Sequence, residues 1–301
     1  MKNFRVTAIG EILYDVYPDG KRLGGAPFNF IYHIRKILGK ANFVSSVGND
    51  ENGREMLSYL NSTGFNTKHI YIDKKYPTGA VQVKINEDRT PSFTICHEFS
   101  YDYITLNDMS SNLIENETDL LYFGTLLTRS EISRNTITSL FSKPHLKYFC
   151  DLNLRHNFYT KELIEKTLLT TTILKINQDE LDKLKQFFNL QRSNDRAIEQ
   201  LITKFNIALI GLTLGENGAG LYTITETNYY KPEIINVVDT LGAGDAFAAI
   251  LCLGYLYKMP LAEINKLANE FAAGICLVNG ALPGNDSIYN KYKTEIKSRD
   301  A

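Results

Sequence analysis

Residues 239–249 read "DTLGAGDAFAA", two glycines set between two carboxylates and followed at once by small and apolar side chains. From Ala246 to Tyr257 apolar residues recur at three- and four-residue steps, which predicts a helix. Gly242, Ala243 and Gly244 then open that helix, where backbone N–H groups lack intrahelical partners and the dipole favours negative charge. Such a turn suits an anion, yet Asp245 is itself negative and stands where the anion would rest. Two readings fit these residue types alone: an ordinary N-terminal cap, or a carboxylate poised against a bound anion.

Other stretches carry comparable chemistry. Asp15 lies in "GEILYDVYP", and "RLGGAPFNFIYHIRKIL" follows as a Gly-Gly turn opening a helix. Gly24 and Gly25 let the backbone approach a ligand closely, and Asn29 offers a donor and an acceptor; Asp15 with Asn29 suits adjacent hydroxyls. A plain turn is the alternative. In "DLNLRHNFY" (151–159), Asp151, Asn153 and Arg155 alternate just past a strand, which puts them on one face. Arg155 there suits either a phosphate clamp or a surface salt bridge to Asp151. Asn177 and Glu180 in "INQDELDKL" are i,i+3 neighbours at a strand-to-helix junction. They read as a helix start or as a seat for hydrated Mg²⁺ beside phosphate. "LTLGENGAGLY" (212–222) is strand, glycine turn and strand, with Thr213 and Gly215 placed to meet phosphates. The chain holds neither G-x-x-x-x-G-K-[ST] nor a G-x-G-x-x-G leading into a helix, so a Walker A loop and a dinucleotide fingerprint are excluded.

The elements that must position these loops have two textures. From about residue 105, apolar strands ("DLLYFGT", "LKYFCDLN", "TTILKIN", "IALIGLTLG") alternate with amphipathic helices such as "TKELIEKTLL" and "NDRAIEQLITKF". That pattern predicts an α/β fold, a mostly parallel central sheet flanked by helices. Around 69–100, "HIYI", "GAVQVKI" and "PSFTICHE" read as consecutive strands with turn signals, among them "NEDRTP". They predict a small antiparallel β-sheet lid, formed by about 11–18 and 69–100, on a single domain spanning 1–301. Lys plus Arg number 33 and Asp plus Glu 34, a net charge of −1 that offers no footprint for nucleic acid or an anionic membrane surface. The N-terminal segment alternates like a strand, without a signal peptide's apolar core. Cys96, Cys150, Cys252 and Cys276 are scattered, as are the five histidines, so reduced thiols, no zinc site and a cytoplasmic location are expected.

Taken in order, these segments resemble the ribokinase-like sugar kinases of the phosphofructokinase-B type. "DTLGAGD" is similar to that family's D-T-x-G-A-G-D, and "GGAPFN" to its Gly-Gly substrate loop. "VGNDENGREMLSYLNSTGFNT" resembles its G-x-D-x-x-G pattern, Asn177 and Glu180 its N-x-x-E, and "TLGENGAG" its nucleotide loop; the likeness runs from about 6 to 284. The resemblance implies an ATP-dependent kinase with Mg²⁺, in which Asp245 takes the proton of a sugar hydroxyl. Gly242, Ala243 and Gly244 would form an anion hole aided by Arg155; Asp15, Gly24, Gly25, Asn29 and Asn153 would hold the sugar. Asn177, Glu180, Thr213, Gly215, Gly218 and Asn269 would serve the nucleotide, with Glu180 reaching Mg²⁺ through water. Asp239 and the loop "NGALPG" (279–284) fall where relatives bind K⁺, and a homodimer through the lid is implied. "GGAPFN", "DLNLR" and the lid stretch "RTPSFTICHEFSYD" are most similar to fructokinases. Departures are Leu152 in place of proline and Phe28 and Phe30 in place of small residues; Phe28 is expected to reshape the sugar pocket. The rivals are a 2-keto-3-deoxygluconate kinase, against which His97 and a buried Glu98 weigh, and a catalytically silent regulator.

Overall fold

The computed structural model describes residues 4–85, 91–95, 97–141, 143, 145–156, 158–233 and 237–300. The strands are β1 (Val6–Ile9), β2 (Leu13–Tyr17), β3 (Gly20–Gly24), β4 (Asn42–Gly48), β5 (Ile70–Asp73), β6 (Gly79–Ile85) and β7 (Pro91–Ile95), then β8 (Leu120–Gly124), β9 (Lys147–Asp151), β10 (Ile173–Asn177), β11 (Leu209–Thr213), β12 (Ala219–Tyr222) and β13 (Thr227–Tyr230). The helices are α1 (Ala26–Leu38), α2 (Glu51–Ser62), α3 (Asp108–Asn116), α4 (Glu131–Leu140), α5 (Lys161–Leu168), α6 (Gln178–Phe188), α7 (Asn194–Phe205), α8 (Ala243–Leu256), α9 (Leu261–Ile275) and α10 (Asn290–Lys297).

Among the described residues, nine strands form one sheet in the order β13-β12-β11-β10-β9-β8-β1-β4-β5. All pairs from β11 to β5 are parallel, and β12–β13 adds an antiparallel edge. The central parallel strands β8–β11 are mostly apolar because both of their faces are covered. Alternate residues of β8–β11 face opposite layers: Tyr122, Phe149 and Ile173 pack with α1, α8 and α9, while Phe123, Cys150 and Leu174 pack with α3–α7. Helix α8 is apolar all round and buried from Ala246 to Gly254, as a helix enclosed in the core must be. The order in which strands are added reverses between β1 and β8, with β4 and β5 on one side of β1 and β8 to β13 on the other, and in open α/β sheets ligands bind at the carboxyl ends near such a switch point.

The smaller sheet has the order β3-β2-β6-β7 and differs from the expected lid in three ways. "HIYI" does not join it: β5 runs parallel to β4 at the edge of the main sheet. Gly20–Gly24, not among the expected lid strands, pairs antiparallel with β2, so Gly24 of the expected Gly-Gly turn ends a strand. The β2–β6 pair is parallel, so the lid is mixed rather than antiparallel. Residues 86–90 of "NEDRTP", Arg89 with them, and Cys96 lie outside the described residues, as does the side chain of Phe93.

Phe28 is fully buried against Phe43, Tyr59 and Phe65, and Phe30 stacks on Tyr122 at 3.8 Å between ring centroids. Neither lines a cavity described below, so the expected reshaping of the pocket by Phe28 is corrected: both rings fill the core between α1 and the sheet. Truncating either would cost about 3–5 kcal/mol of stability. Leu152 is likewise buried, and its N–H donates to the Lys175 carbonyl at 3.1 Å, a bond that proline could not make.

Candidate active site

Helix α8 starts beside the carboxyl end of β11, whose Thr213 lines the same cavities as Gly244, with Gly242 as its N-cap at φ 78°. Glycine is required there: a methyl on Gly242 would stand 2.6 Å from the Ala281 Cα, and the φ is left-handed. Asp239 shapes the approach, its two carboxylate oxygens accepting the Leu241 and Gly280 N–H groups at 2.9 Å each. This places the 279–284 loop against the first turn of α8. Among the described residues the Gly242 and Gly244 amides have no protein acceptor. The Ala243 amide instead turns back onto the Thr240 carbonyl at 3.3 Å, so the free donors are fewer than the three expected.

Asp245 follows on the same turn, and the Asn29 side-chain amide donates to its Oδ2 at 2.8 Å. Asn29 thus positions Asp245 while its own Oδ1 is buried without a partner. Burial first, then the negative charge of Asp151, pushes the Asp245 carboxyl up to about 7, against the opposing pull of Lys175, Asn29 and Arg155. Asp15 is raised to about 6, by burial and then by Asp239, with Arg155 and Arg22 opposing. A methyl on Gly24 would meet the Asp15 Oδ2 at 2.6 Å, so Gly24 makes room for Asp15 rather than lining the cavity itself. Gly25, at φ 109°, lets the start of α1 pack on the Glu11 carbonyl.

Glu11 is a functional candidate that the sequence reading passed over. It is buried, its Oε2 has no partner, and it lines the same cavity as Asp15, Asn29 and Asp245. Burial raises its carboxyl to about 7, with the Asp245 charge adding to the effect and its own amide and Arg155 opposing it. Asn153 (φ 38°) and the exposed Arg155 line this cavity too. Asp151 does not pair with Arg155: it is buried, and Lys175 Nζ donates to both of its oxygens at 3.1 Å. Asn177 and Glu180 form a capping box at the start of α6, Asn177 Oδ1 accepting the Glu180 amide and Glu180 Oε2 the Asn177 amide, both at 2.9 Å. Glu180 Oε1 also accepts the Leu154 amide at 2.9 Å. The helix-start reading of N-x-x-E is therefore met in full, and the same carboxylate lines the cavity.

The cavity around Asp245 holds about 390 Å³. A second, of about 640 Å³, lies on the other side of the α8 terminus, lined by Gly215, Gly218, Phe247, Asn269 and Cys276 among others. Thr213, Thr240 and Gly244 belong to both. Gly215 and Gly218 turn the β11–β12 hairpin at φ 59° and 81°. Asn269 is buried with its NH₂ donated to Asn265, and it lines the second cavity. Glu98, expected to be buried, is exposed, and His97 packs edge-on against Phe158.

Burying carboxyls whose values are raised costs stability once they ionise. Glu11 protonates at about 7 in the folded chain against 4.5 unfolded; its penalty is absent below pH 4.5 and grows as pH rises to 7. Glu11→Gln removes that penalty, so its melting temperature should gain on wild type by a few degrees between pH 5 and 8, reflecting up to ~3 kcal/mol. Thermal melts across that range check this; a difference independent of pH would contradict it.

These features define a ribokinase-like α/β fold with two cavities meeting at a helix N-terminus. A family model described as "pfkB family carbohydrate kinase" matches residues 6–287, and the chain belongs to that family. A sugar kinase of Pyrococcus horikoshii is 29% identical over 315 residues, covering 96% of this chain and 95% of its own. Its crystal structure superposes with a TM-score of 0.82 at 26% identity over 99% of this chain and all of that one. A complex of the same protein with ATP gives 0.80 at 25% identity, over 97% of this chain and 99% of that one. A fructokinase of Escherichia coli is 26% identical over 264 residues, 83% of this chain and 84% of its own. A 5-dehydro-2-deoxygluconokinase of Geobacillus thermodenitrificans is 25% identical over 253 residues, 80% of this chain and 74% of its own. Among the described residues no helix is long and apolar enough to cross a membrane.

Proposed function

We propose that this carbohydrate kinase uses ATP and that its acceptor is a neutral sugar, with fructose the first candidate. The observation that carries the reading is the α8 N-terminus, where Asp245 and the free Gly242 and Gly244 amides meet between the two cavities. The larger cavity takes the nucleotide, against Thr213, Gly215, Gly218 and Asn269. The smaller takes the sugar, held by Asp15, Asn29, Asn153 and Glu11. Asp245 Oδ1, the oxygen that Asn29 leaves free, accepts the hydroxyl proton as the sugar oxygen attacks the γ-phosphorus and the bond to the bridging oxygen of ADP breaks. The Gly242 and Gly244 amides and the α8 dipole stabilise charge on the transferring group, with Arg155 reaching in from the rim.

Metal enters this reading with the phosphates. Among the described residues no three His, Cys, Asp or Glu side chains converge on a metal position, and both Glu180 oxygens already accept amides. That donor set fits a hydrated Mg²⁺ arriving on ATP, touched by Glu180 through water; Mg²⁺ would neutralise phosphate charge. Asp239 spends a lone pair of each oxygen on backbone amides, so K⁺ beside it would depend on loop carbonyls; replacing K⁺ by Na⁺ in the assay tests this. A cytoplasmic, single-domain enzyme that dimerises through the four-stranded sheet completes the reading, and sedimentation velocity reports the dimer.

Fructose is favoured by "GGAPFN" and "DLNLR", by the Escherichia coli relative, and by the acidic wall of Glu11 and Asp15. A keto-sugar acid is the second reading, because Arg155 at the cavity rim offers a carboxylate a cation. ADP release over fructose, ribose, tagatose, 2-keto-3-deoxygluconate and adenosine separates them. Turnover on fructose at least tenfold above the acid in kcat/KM is expected. Preference for the acid would overturn the substrate, and binding without turnover on any sugar would support a silent regulator.

A further inference from the structure

Lys175 is charged yet sits in β10 between Leu174 and Ile176, which face the α3–α7 layer. By strand alternation its own side chain points to the other face, beside Asp151, its register partner on β9. The pair is buried, and Nζ lies 3.1 Å from each Asp151 oxygen. An ammonium has three N–H donors. Among the described residues Asp151 is the only hydrogen-bond partner of this one, so its remaining donor side is uncommitted. That side faces the first turn of α8: a methyl on Gly244 would stand 3.0 Å from Nζ. Lys175 lines the smaller cavity, and Gly244 belongs to both.

Charge sharpens the point. Glu11, Asp15, Glu180, Asp239 and Asp245 line the smaller cavity against Lys175 and the exposed Arg155. A triphosphate end entering such a wall meets net repulsion unless a cation stands where the transferred group passes. For stability alone a buried ion pair is a poor choice, since apolar residues of similar volume do as well or better. The pair's position at the junction of the cavities gives it another use.

We propose that Lys175 is a catalytic residue for phosphoryl transfer, donating its uncommitted N–H to a non-bridging oxygen of the γ-phosphoryl while Asp151 holds the ammonium in place. The inference rests on the kinase reading above. In the step, the sugar oxygen bonds to the γ-phosphorus, the bond to the β,γ-bridging oxygen breaks, and the hydroxyl proton passes to Asp245. Lys175 keeps its proton throughout, and Asp151 acts only as a positioning residue. Because the ammonium contacts the group more strongly as charge gathers on it, its removal should lower kcat rather than raise KM for sugar.

The test compares wild type, Lys175→Met and the double variant Lys175→Met/Asp151→Leu. The single variant leaves Asp151 buried without a counter-charge and is expected to melt lower; the double variant should recover most of that loss. In both, kcat should fall about 10²–10³-fold, with KM for sugar changed less than threefold. Affinity for ADP with tetrafluoroaluminate and sugar should fall alongside kcat, while affinity for ADP alone holds. A double variant with recovered melting temperature and kcat within tenfold of wild type would overturn the proposal. Should neither variant fold, ¹⁵Nζ-lysine NMR of wild type decides: one lysine resonance should shift in the fluoroaluminate complex but not with ADP alone, and its absence overturns the proposal. Failure of wild type to phosphorylate any sugar would instead fault the kinase reading.

Discussion

Asp245→Asn is expected to lower kcat about 10²–10⁴-fold, the usual contribution of a positioned base, with the KM values for sugar and ATP little changed. The substitution keeps an oxygen for the Asn29 amide, which donates to Asp245 Oδ2 at 2.8 Å, so the local geometry should survive. What disappears is the carboxylate oxygen proposed to accept the proton. The native carboxyl, raised to about 7 by burial and by Asp151, is basic enough to matter near neutrality. The acid limb of kcat/KM against pH should therefore centre near 7 in wild type. Stability should move the other way. A carboxyl raised in the folded state is penalised once ionised, so Asp245→Asn should melt at or above wild type at pH 8, with an advantage that shrinks below pH 7, persists in part at pH 5 and is gone only below 3.8. Loss of activity together with gain of stability would separate a chemical role from a structural one. A kcat within tenfold of wild type would contradict the assignment.

Gly242→Ala should be nearly as damaging, by a different route. At φ 78° a methyl costs about 1–2 kcal/mol in backbone energy alone. It would also stand 2.6 Å from the Ala281 Cα. Relief requires the 279–284 loop to move, yet that loop is tied through the Gly280 amide to Asp239. The first turn of α8 must then shift instead, misaiming the amides that face the phosphoryl. A fall in kcat of about 10²–10³-fold is expected, with a melting temperature several degrees lower. Gly244→Ala is the control: its backbone is helical and its methyl would meet only the end of a lysine side chain, at 3.0 Å from Lys175 Nζ. It should cost less stability. Equal melting temperatures for the two variants would contradict the role given to the left-handed cap.

Where the sequence was legible, a strong physical constraint wrote the pattern. "DLLYFGT", "TTILKIN" and "IALIGLTLG" are apolar on both faces because helices cover both faces, and the turn chemistry of "DTLGAGD" follows from a left-handed cap. "HIYI" lies outside the lid because strand signals do not say which sheet supplies the partner; in β5 the two end residues are buried and the two middle ones exposed, at the edge of the main sheet. The Gly24–Gly25 pair signals a turn, yet Gly24 ends an extended strand paired with β2, because a glycine pair does not show where the strand before it stops. Phe28 adjoins Asn29 in sequence, but on a helix successive side chains diverge by about 100°, so one faces the cavity and the other the core. Glu11 and Lys175 were missed because each looks like a stray charge in an apolar segment. Their signal was present: Glu11 follows β1 at a carboxyl end, and Lys175 alternates with Ile173 toward the α8 face.

The most direct measurement is a ³¹P NMR spectrum of wild type and Asp245→Asn, each incubated with ATP, Mg²⁺ and fructose. Wild type should yield a sugar phosphomonoester in one-to-one ratio with ADP, and the variant almost none over the same period. Inorganic phosphate in place of the ester, or an ester formed equally by both proteins, would contradict a sugar kinase that works through Asp245.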